Sequence, residues 1–293
     1  MSRMGDVLAG FHAAWEFESD SVLIRFERGI RAPKLFQALG ERRIPHEAIA
    51  ALTVAPGKRG TVVLHAVPRP GADPLMDAAA GQLKESSDPY RLVLPAERGT
   101  LADHYANELR PLVFGDGDEA PERYLVPAPE APMQFKAYDG KAAFDGKTVS
   151  FRWFWTGASS AKWKAGDQSF LVSDLAGVEW RSPELFEGHL RLLRRDPPGA
   201  PPAQADQDPA SVVFGLGYGP VHESLPFAAA VLGALRSAPS PAATAALPRH
   251  AGPARRDPAD IADSIRHLGE LHEAGLVTDE EFSTKKAQLL AEL

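Results

Sequence analysis

The 293-residue sequence contains no cysteine. Disulfide bonds, thiolate zinc sites and a cysteine nucleophile are therefore excluded, which agrees with a reducing compartment. Long apolar runs are also missing: the longest, residues 227–235, is about half of the ~18–20 residues that a membrane-spanning helix needs. Residues 1–10 lack the apolar stretch of a signal peptide. We expect a cytoplasmic protein with no transmembrane segment.

An excess of basic charge is absent from both parts of the chain that have a globular composition. The net charge is −7, but basic and acidic side chains balance within residues 1–114 and again within 134–236. Nucleic acid is therefore not expected as a partner, because phosphate-backbone binding requires a basic surface. Two local basic pairs, Arg42 with Arg43 and Lys162 with Lys164, are interpreted as solvated surface charges.

No arrangement of residues indicates catalysis or a metal site. The His-Glu pairs at 46–47 and 222–223 lack the second histidine of a zinc-binding helix. The glycine-rich segment 215–219 lacks the lysine and the βαβ unit of a nucleotide-binding loop, so it predicts a turn between a strand and a helix. No Gly-x-Ser-x-Gly elbow is present. We expect no catalytic residue, no cofactor, no metal and no enzymatic activity.

The chain contains one plan twice, offset by about 127 residues. Phe17–Phe26 aligns with Phe144–Trp153, and both segments alternate apolar and polar residues after a polar turn, which predicts a β-hairpin with one buried face. The later segments align in the same order: 43–52 with 169–178, 61–64 with 189–192, 90–94 with 211–214, and the closing helices 101–110 with 227–236.

Several strands followed by one helix, in roughly 100 residues, is the element order of a pleckstrin-homology-like (PH-like) domain. In such a domain the helix closes one end of a bent antiparallel sheet or partial barrel. We predict a mainly β chain with some α, built from two PH-like domains at 9–114 and 134–236. An acidic, proline-rich linker (115–133) joins the domains, and a flexible Pro/Ala-rich linker (237–256) follows them.

Residues 257–293 predict an α-helical hairpin. Apolar residues at 261, 265, 268 and 271 line one face of the first helix, and Gly275 ends it. Thr278 begins the second helix, with Glu281 three residues later as in a capping box. Helices below ~12–15 residues are marginal alone, so the hairpin needs a surface to pack against, on this chain or on another one. We expect docking on a protein partner or self-association. The candidate contact residues are Leu268, Leu271, Leu276, Phe282, Leu289 and Leu290.

The aromatic run at 152–155 is a second candidate contact surface. On a strand, Trp153 and Trp155 would share one face and Phe154 would take the other. Tryptophan and arginine are enriched at interface hot spots, so Arg152, Trp153 and Trp155 are candidate partner-binding residues. The alternative is that one face of this run lies in the core and the opposite ring packs under a loop. The sequence leaves both open.

The tail resembles a known family. From Ile265 to Leu290 the pattern is Ile-x-x-Leu-x-x-Leu-x-x-Ala-Gly-Leu-Val-Thr-Asp-Glu-Glu-Phe-x-x-Lys-Lys-x-x-Leu-Leu, which is similar to the SHOCT (short C-terminal) domain. That resemblance implies an oligomerisation or docking appendage.

The first copy resembles another family. Its segments 40–49, 70–75 and 87–92 are similar to motifs of domain of unknown function 4429 (DUF4429), which occurs in tandem ahead of a short C-terminal domain in bacteria. The resemblance implies a PH-like fold and no established activity. The second copy departs from the motif, because a Pro-rich stretch at 197–209 stands where the first has Gly71-Ala-Asp-Pro74.

The favoured interpretation is a non-enzymatic cytoplasmic interaction or scaffold protein, in which tandem PH-like domains carry a helical hairpin for oligomerisation or partner docking. The alternative is a protein that binds a ligand or a membrane surface through lipid headgroups. Balanced charge in both copies argues against that alternative, because anionic headgroups usually attract a basic cluster. A weaker alternative is an enzyme with its site between the two copies.

Overall fold

The computed structural model describes residues 6–113, 120–196 and 204–237, together with Ser283 and Ala287. The chain divides into two compact units, Met1–Ser240 and Pro241–Leu293. Apart from these two single residues, the predicted hairpin lies outside the described residues. So do its candidate contact residues Leu268, Leu271, Leu276, Phe282, Leu289 and Leu290.

The first copy consists of two antiparallel sheets and a closing helix, with strand orders β1-β2-β3-β4 and β5-β6-β7. The strands are β1 (Asp6–Ala9), β2 (Ala13–Phe17), β3 (Ser21–Phe26), β4 (Glu41–Pro45), β5 (Ile49–Pro56), β6 (Thr61–Pro68) and β7 (Arg91–Pro95). The helices are α1 (Lys34–Leu39), α2 (Pro74–Ala79) and α3 (Gly99–Leu109).

The second copy repeats this plan, with strand orders β11-β10-β9-β8 and β12-β13-β14. Its strands are β8 (Met133–Lys136), β9 (Gly140–Phe144), β10 (Thr148–Trp153), β11 (Gln168–Leu171), β12 (Leu175–Arg181), β13 (His189–Arg194) and β14 (Ser211–Val213). Its helices are α4 (Ser160–Ala165), equivalent to α1, and α5 (Val221–Ser237), equivalent to α3.

The alternation predicted from sequence is present in the central strands. On β10, Val149, Phe151 and Trp153 point into the core while the residues between them are half-buried. The predicted alignment of the two hairpins is confirmed by register, since Phe17 pairs with Val22 and Phe144 pairs with Val149. A mainly β chain with two β-rich domains is thus confirmed. The PH-like name and the predicted domain bounds stay predictions, and β1 begins before residue 9.

One predicted alignment is shifted by two residues. Leu64 on β6 pairs with Val54 and Leu92, and its counterpart by these pairings is Leu190, not Leu192 as the sequence alignment had it. Shifting the alignment of β6 with β13 by two residues leaves every side chain on the same face of its strand, so both alignments fit the apolar pattern equally well.

The two β-rich halves of each copy are tied together at the same point. The backbone N–H of Phe11, between β1 and β2, donates to the Val93 carbonyl of β7 at 2.8 Å. In the second copy the N–H of Tyr138, between β8 and β9, donates to the Val213 carbonyl of β14 at 3.0 Å. The two copies therefore also share the backbone hydrogen bond that joins their two sheets.

Helix α5 is apolar on nearly every side, which predicts burial on more than one face. Phe227 packs against its own copy, with its ring centroid 5.0 Å from that of Phe135. The opposite side of α5 contacts α1 and α2 of the first copy. As a result, four residues of the first copy belong to the hydrophobic core of the second: Leu35, Leu75, Ala78 and Ala79.

Helix α3, the counterpart of α5, has only one apolar face. Ala102, Ala106 and Leu109 are buried against the first copy. The remaining face is exposed and mostly polar, and includes Asp103 and Glu108. The two copies therefore meet head to tail, with α1 and α2 of one covering the closing helix of the other.

Polar contacts border this junction. The Gln82 amide donates to the Trp180 carbonyl and accepts from the Ser182 N–H, both at 2.9 Å. Lys84 pairs with Glu184 at 2.9 Å. The Arg236 guanidinium, near the end of α5, donates to the Gly71 carbonyl at 2.6 Å. These contacts fix the orientation of one copy on the other.

The segment predicted as a linker is packed where it is described. Leu125 and Val126 donate backbone hydrogen bonds to the Ala72 carbonyl, at 2.9 and 3.0 Å, and Val126 belongs to the core of the first copy. Further on, Ala128 lies so close to Gly233 of α5 that a Cβ at residue 233 would be 2.4 Å from it. This glycine is required for the close approach.

A buried polar triad holds α2 in place. Asp73 caps α2 by accepting the Leu75 N–H at 2.8 Å. Its carboxylate also accepts from the Arg42 guanidinium at 2.6 Å and from the Tyr90 hydroxyl at 2.5 Å. Arg42 is 6% exposed, so the prediction that it is a solvated surface charge is wrong. Its partner lies 31 residues further along the chain.

Two members of the triad, Arg42 and Tyr90, have raised pKa values. Burial alone would lower the pKa of the Arg42 guanidinium, but the attraction of Asp73 and the hydrogen bond with Tyr90 offset burial and raise its pKa above the ordinary value. Burial raises the pKa of the Tyr90 hydroxyl. Arg42 is therefore charged in the triad, and Tyr90 is neutral.

We expect Asp73→Ala to lower the free energy of unfolding by about 3 kcal/mol or more, because it leaves a buried guanidinium unpaired and removes the cap of α2. Urea unfolding followed by circular dichroism measures the change. Asp103→Ala, an exposed change of the same kind on α3, should stay within about 0.5 kcal/mol of the parent. Equal effects of the two substitutions would contradict the role given to the triad.

Candidate interaction site at the end of the second copy

The predicted aromatic run divides between core and surface. Strand β10 ends at Trp153, and the chain then turns through residues 155–157. Trp153 is 8% exposed and its indole N–H donates to the Gly166 carbonyl at 2.7 Å. The prediction that Trp153 and Trp155 share a strand face is therefore wrong, because the strand stops before Trp155. Trp153 is a core residue and does not belong to an exposed surface.

Trp155 lies on the surface, and 44% of it is exposed. Its ring meets that of Trp163 edge to face, with centroids 5.1 Å apart and planes at 87°. Ser159 caps α4, on which Trp163 lies. The two indoles are thus held against one another by a turn and a capped helix.

Two tyrosines from other loops border the same turn. Gly157 lies against the β8–β9 hairpin, where a Cβ would be 2.2 Å from the Tyr138 carbonyl oxygen, so only glycine fits. Tyr138 is 50% exposed and meets the ring of Tyr218 edge to face, with centroids 6.3 Å apart. We call Tyr138, Trp155, Trp163 and Tyr218 the aromatic end. Three loops contribute to it.

The glycine-rich segment 215–219 lies where its sequence predicts, in a turn between β14 and α5. Gly215 and Tyr218 form an isolated bridge, and Gly217 and Gly219 have positive φ. Tyr218 reaches the aromatic end from this turn.

A buried ion pair lies beside the aromatic end. The Lys162 ammonium donates to Asp139 at 2.5 Å and lies 4.9 Å from the centroid of the Trp153 ring. The other Asp139 oxygen accepts the Val213 N–H at 3.0 Å. Lys162 is fully buried, so its interpretation as a solvated surface charge is wrong. The pair connects the β8–β9 hairpin, α4 and β14 underneath the loops that carry the aromatic rings.

Burial opposes both charges of this pair. It raises the pKa of the Asp139 carboxyl, and attraction to Lys162 reduces that shift without cancelling it. It lowers the pKa of the Lys162 ammonium, against the attraction of Asp139. Each charge therefore depends on the other for its stability in the folded protein.

Arg152, the remaining candidate from the sequence, lies on β10 with its side chain on the outer face of the sheet, opposite the core. On the sheet Arg152 lies opposite Lys141 of β9, and Lys141 lies opposite Lys136 of β8. Sequence analysis overlooked both lysines and both tyrosines, of which Lys136, Tyr138 and Lys141 belong to the β8–β9 hairpin and Tyr218 to the turn before α5. Their position next to glycines, as in Tyr138-Asp-Gly and Gly-Tyr218-Gly, is the only local signal.

Within the described residues, no three metal-ligating side chains are grouped closely enough to hold an ion. In the same part of the chain no helix has the length and apolar character to cross a membrane.

Comparison with known families decides the assignment. The family model for DUF4429, a domain of unknown function, matches residues 15–110 and 142–232, which together make up more than half of the chain. The chain belongs to the DUF4429 family. The model of the short C-terminal domain, SHOCT, matches residues 263–290. Among curated proteins, no sequence matches the chain.

Both resemblances noted in the sequence are thus confirmed. Each DUF4429 match falls within one copy of the structural repeat, from β2 to α3 and from β9 to α5. The Gly71–Pro74 motif, which is found only in the first DUF4429 copy, begins the helix that joins the copies. That gives a structural reason for its absence from the second copy.

We expect Lys162→Met to destabilise the folded protein by about 3 kcal/mol at pH 8, because it leaves the Asp139 carboxylate buried and unpaired. The loss should be smaller at pH 5. A carboxyl whose folded pKa lies above its unfolded value binds protons more strongly in the folded state, so falling pH favours folding.

Urea unfolding at the two pH values measures both effects. The double variant Asp139→Asn/Lys162→Met should recover part of the loss at pH 8, since no charge is then left unpaired. A loss that is independent of pH and is not recovered would show that Lys162 acts by packing alone.

Proposed function

We propose that this DUF4429 protein is a non-enzymatic, cytoplasmic interaction protein. In this proposal the two fused copies form a rigid platform, the aromatic end of the second copy binds a protein partner, and the SHOCT segment brings about self-association or docking. The observation that carries the proposal is the exposed Trp155, held edge to face against Trp163 beside two half-exposed tyrosines.

The arrangement has the properties of an interface hot spot. Tryptophan and tyrosine supply large contact areas with few rotatable bonds, so little conformational entropy is lost on binding. The rings are held by the buried Asp139–Lys162 pair and by the close contact at Gly157. Such preorganisation lowers the free-energy cost of association.

The shared core supports the platform part of the proposal. Because α1 and α2 of the first copy complete the core of the second, neither copy turns independently of the other. A partner bound at the aromatic end is therefore held in a fixed orientation to the first copy. This is the property expected of a scaffold.

We expect Trp155→Ala in the full chain to remove a set of binding proteins while leaving the fold intact. Loss of the edge-to-face pair should lower the free energy of unfolding by only about 0.5–1.5 kcal/mol. Affinity capture from extracts of the source cells, quantified by mass spectrometry, compares the variant with the parent.

Phe186→Ala provides the matched control, because Phe186 is 82% exposed and lies elsewhere in the second copy. Proteins lost with Trp155→Ala and retained with Phe186→Ala would support the proposed interaction site. Identical captured sets for parent and Trp155→Ala would refute it.

The SHOCT part of the proposal has its own test. We expect the full chain to be oligomeric and a chain ending at Arg256 to be monomeric, with masses measured by light scattering after size exclusion. Oligomers of equal size in both samples would place association in the DUF4429 copies. Monomers in both would leave two roles for the segment, folding back on its own chain or docking on a foreign protein.

A further inference from the structure

The loop between β3 and α1 presents an isoleucine to the solvent. Among the large apolar side chains of the described ranges, Ile30 is the most exposed. It is the second residue of a β-turn, which is closed by a hydrogen bond from the Ala32 N–H to the Gly29 carbonyl at 2.9 Å. A Cβ added at Gly29 would meet no atom within 4 Å beyond its chain neighbours. The apex of this turn therefore protrudes from the first copy.

Contacts with α1 hold the turn in shape. The Gln37 side-chain amide donates to the Gly29 and Ala32 carbonyls, both at 3.0 Å. Ala32 is buried. The neighbouring Phe36 stacks on Phe26 at the end of β3, with ring centroids 4.6 Å apart. Because the turn is already fixed, little backbone entropy is lost when it makes a contact.

Three cationic side chains flank the isoleucine. Arg28, Arg31 and Lys34 are exposed, and none of them forms an ion pair or a side-chain hydrogen bond with another described residue. The one carboxylate of the loop, Glu27, lies at its start, 4.0 Å from His12 of the β1–β2 turn. We call the apolar apex and these three cations the basic turn.

The equivalent loop of the second copy has a different character. It connects β10 to α4 and comprises residues 154–159, none of which is charged. Basic and acidic side chains also balance over the first copy as a whole. The positive charge is therefore concentrated locally at the basic turn, and it is not a shared property of the repeat.

The β1–β2 turn borders the same loop and adds a second exposed apolar side chain. The His12 carbonyl accepts the Glu27 N–H at 2.9 Å, which joins the β1–β2 turn to the start of the loop. Phe11, the residue before His12, is half-exposed. This end of the first copy thus combines exposed apolar side chains with cations that have no carboxylate of their own.

A lipid bilayer with anionic headgroups fits this combination. Cations pair with the headgroups and stay at their level, while an apolar side chain inserts toward the acyl chains. Peptides and small molecules bind mostly in grooves and clefts, whereas the apex of the basic turn protrudes. A bilayer is fluid and accepts a protruding side chain without a preformed pocket.

We propose that the basic turn binds peripherally to a membrane surface that contains anionic lipids. Arg28, Arg31 and Lys34 pair with the lipid phosphates, and Ile30 inserts between the headgroups. Because α1 packs against α5, the second copy is then held in a fixed orientation to the bilayer. This contact lies in the first copy and goes beyond the proposed function, which uses the aromatic end of the second.

The test is sedimentation of the full chain with sucrose-loaded vesicles of phosphatidylcholine and phosphatidylglycerol in equal amounts. We expect saturable binding, and binding about 10-fold weaker or more to vesicles of phosphatidylcholine alone, since only the anionic lipid attracts the cations. Raising the salt from about 100 to about 500 mM should weaken binding to the anionic vesicles about 5-fold or more, because exposed charges are then screened.

Two sets of variants separate charge from insertion. Arg28→Glu/Arg31→Glu should weaken binding about 10-fold or more, since each cation beside an anionic leaflet contributes about 5-fold. Ile30→Ser should weaken it about 3-fold or more, because a polar side chain gains nothing from insertion. Ile30→Leu keeps the apolar apex and should stay within about 2-fold of the parent.

The control for net charge is Lys147→Glu/Arg194→Glu, which makes the same change at two exposed positions of the second copy. It should alter the affinity by less than about 3-fold, because attraction to the leaflet falls off within a Debye length. Circular dichroism verifies that every variant is folded. An equal loss in this control, an Ile30→Ser variant that binds like the parent, equal binding to both kinds of vesicle, or no binding by the parent would overturn the proposal.

Two soluble probes test other sources of negative charge. Decaglutamate and glycerol 3-phosphate, each in excess over the chain, should leave it bound to the anionic vesicles. Displacement by the peptide would assign the basic turn to an acidic protein segment, and displacement by the phosphate would assign it to a free anion. Either result would overturn the assignment to a membrane.

Discussion

Burial of α5 on both sides is the constraint on which the arrangement of this chain depends. The helix is apolar around its circumference, and the sheets of the second copy cover only one side of it. The other side is covered by α1 and α2 of the first copy, which contribute Leu35 and Leu75 to the same core. The position of α2 depends in turn on the Arg42–Asp73 pair. A buried salt bridge in one copy thereby controls the completeness of the core in the other.

Much of the fold was predictable from the alternation of apolar and polar residues and from the order of the repeated segments. The hairpins at Phe17–Phe26 and Phe144–Trp153 carry a period of two that is confirmed residue by residue. The alignment of β6 with its counterpart β13 in the second copy was not predictable, because shifting one strand by two residues gives the same apolar pattern. The contact between the copies could have been predicted from residues 227–235. This segment is apolar without a polar face, and it is too short to span a membrane. Such a helix is expected to be buried between two layers.

The site was less accessible to sequence reasoning, for identifiable reasons. Trp155 and Arg152 were singled out by residue type, yet the end of β10 at Trp153 has no local marker before Gly157. Arg42 and Lys162 were taken for surface charges because their carboxylate partners, Asp73 and Asp139, are distant in sequence. The proximity of Lys136, Lys141 and Arg152 depends on cross-strand register, and it becomes visible only when β8, β9 and β10 are placed side by side.

The contrast between α3 and α5 limits how many copies such a chain can hold. A further repeat placed ahead of the first would have to cover an apolar closing helix, and α3 offers Asp103 and Glu108 instead. The first copy is therefore suited to a terminal position, as capping repeats are in solenoid proteins. Exchanging the order of the two copies would expose α5 to water. Each copy thus has a sequence suited to one position in the chain.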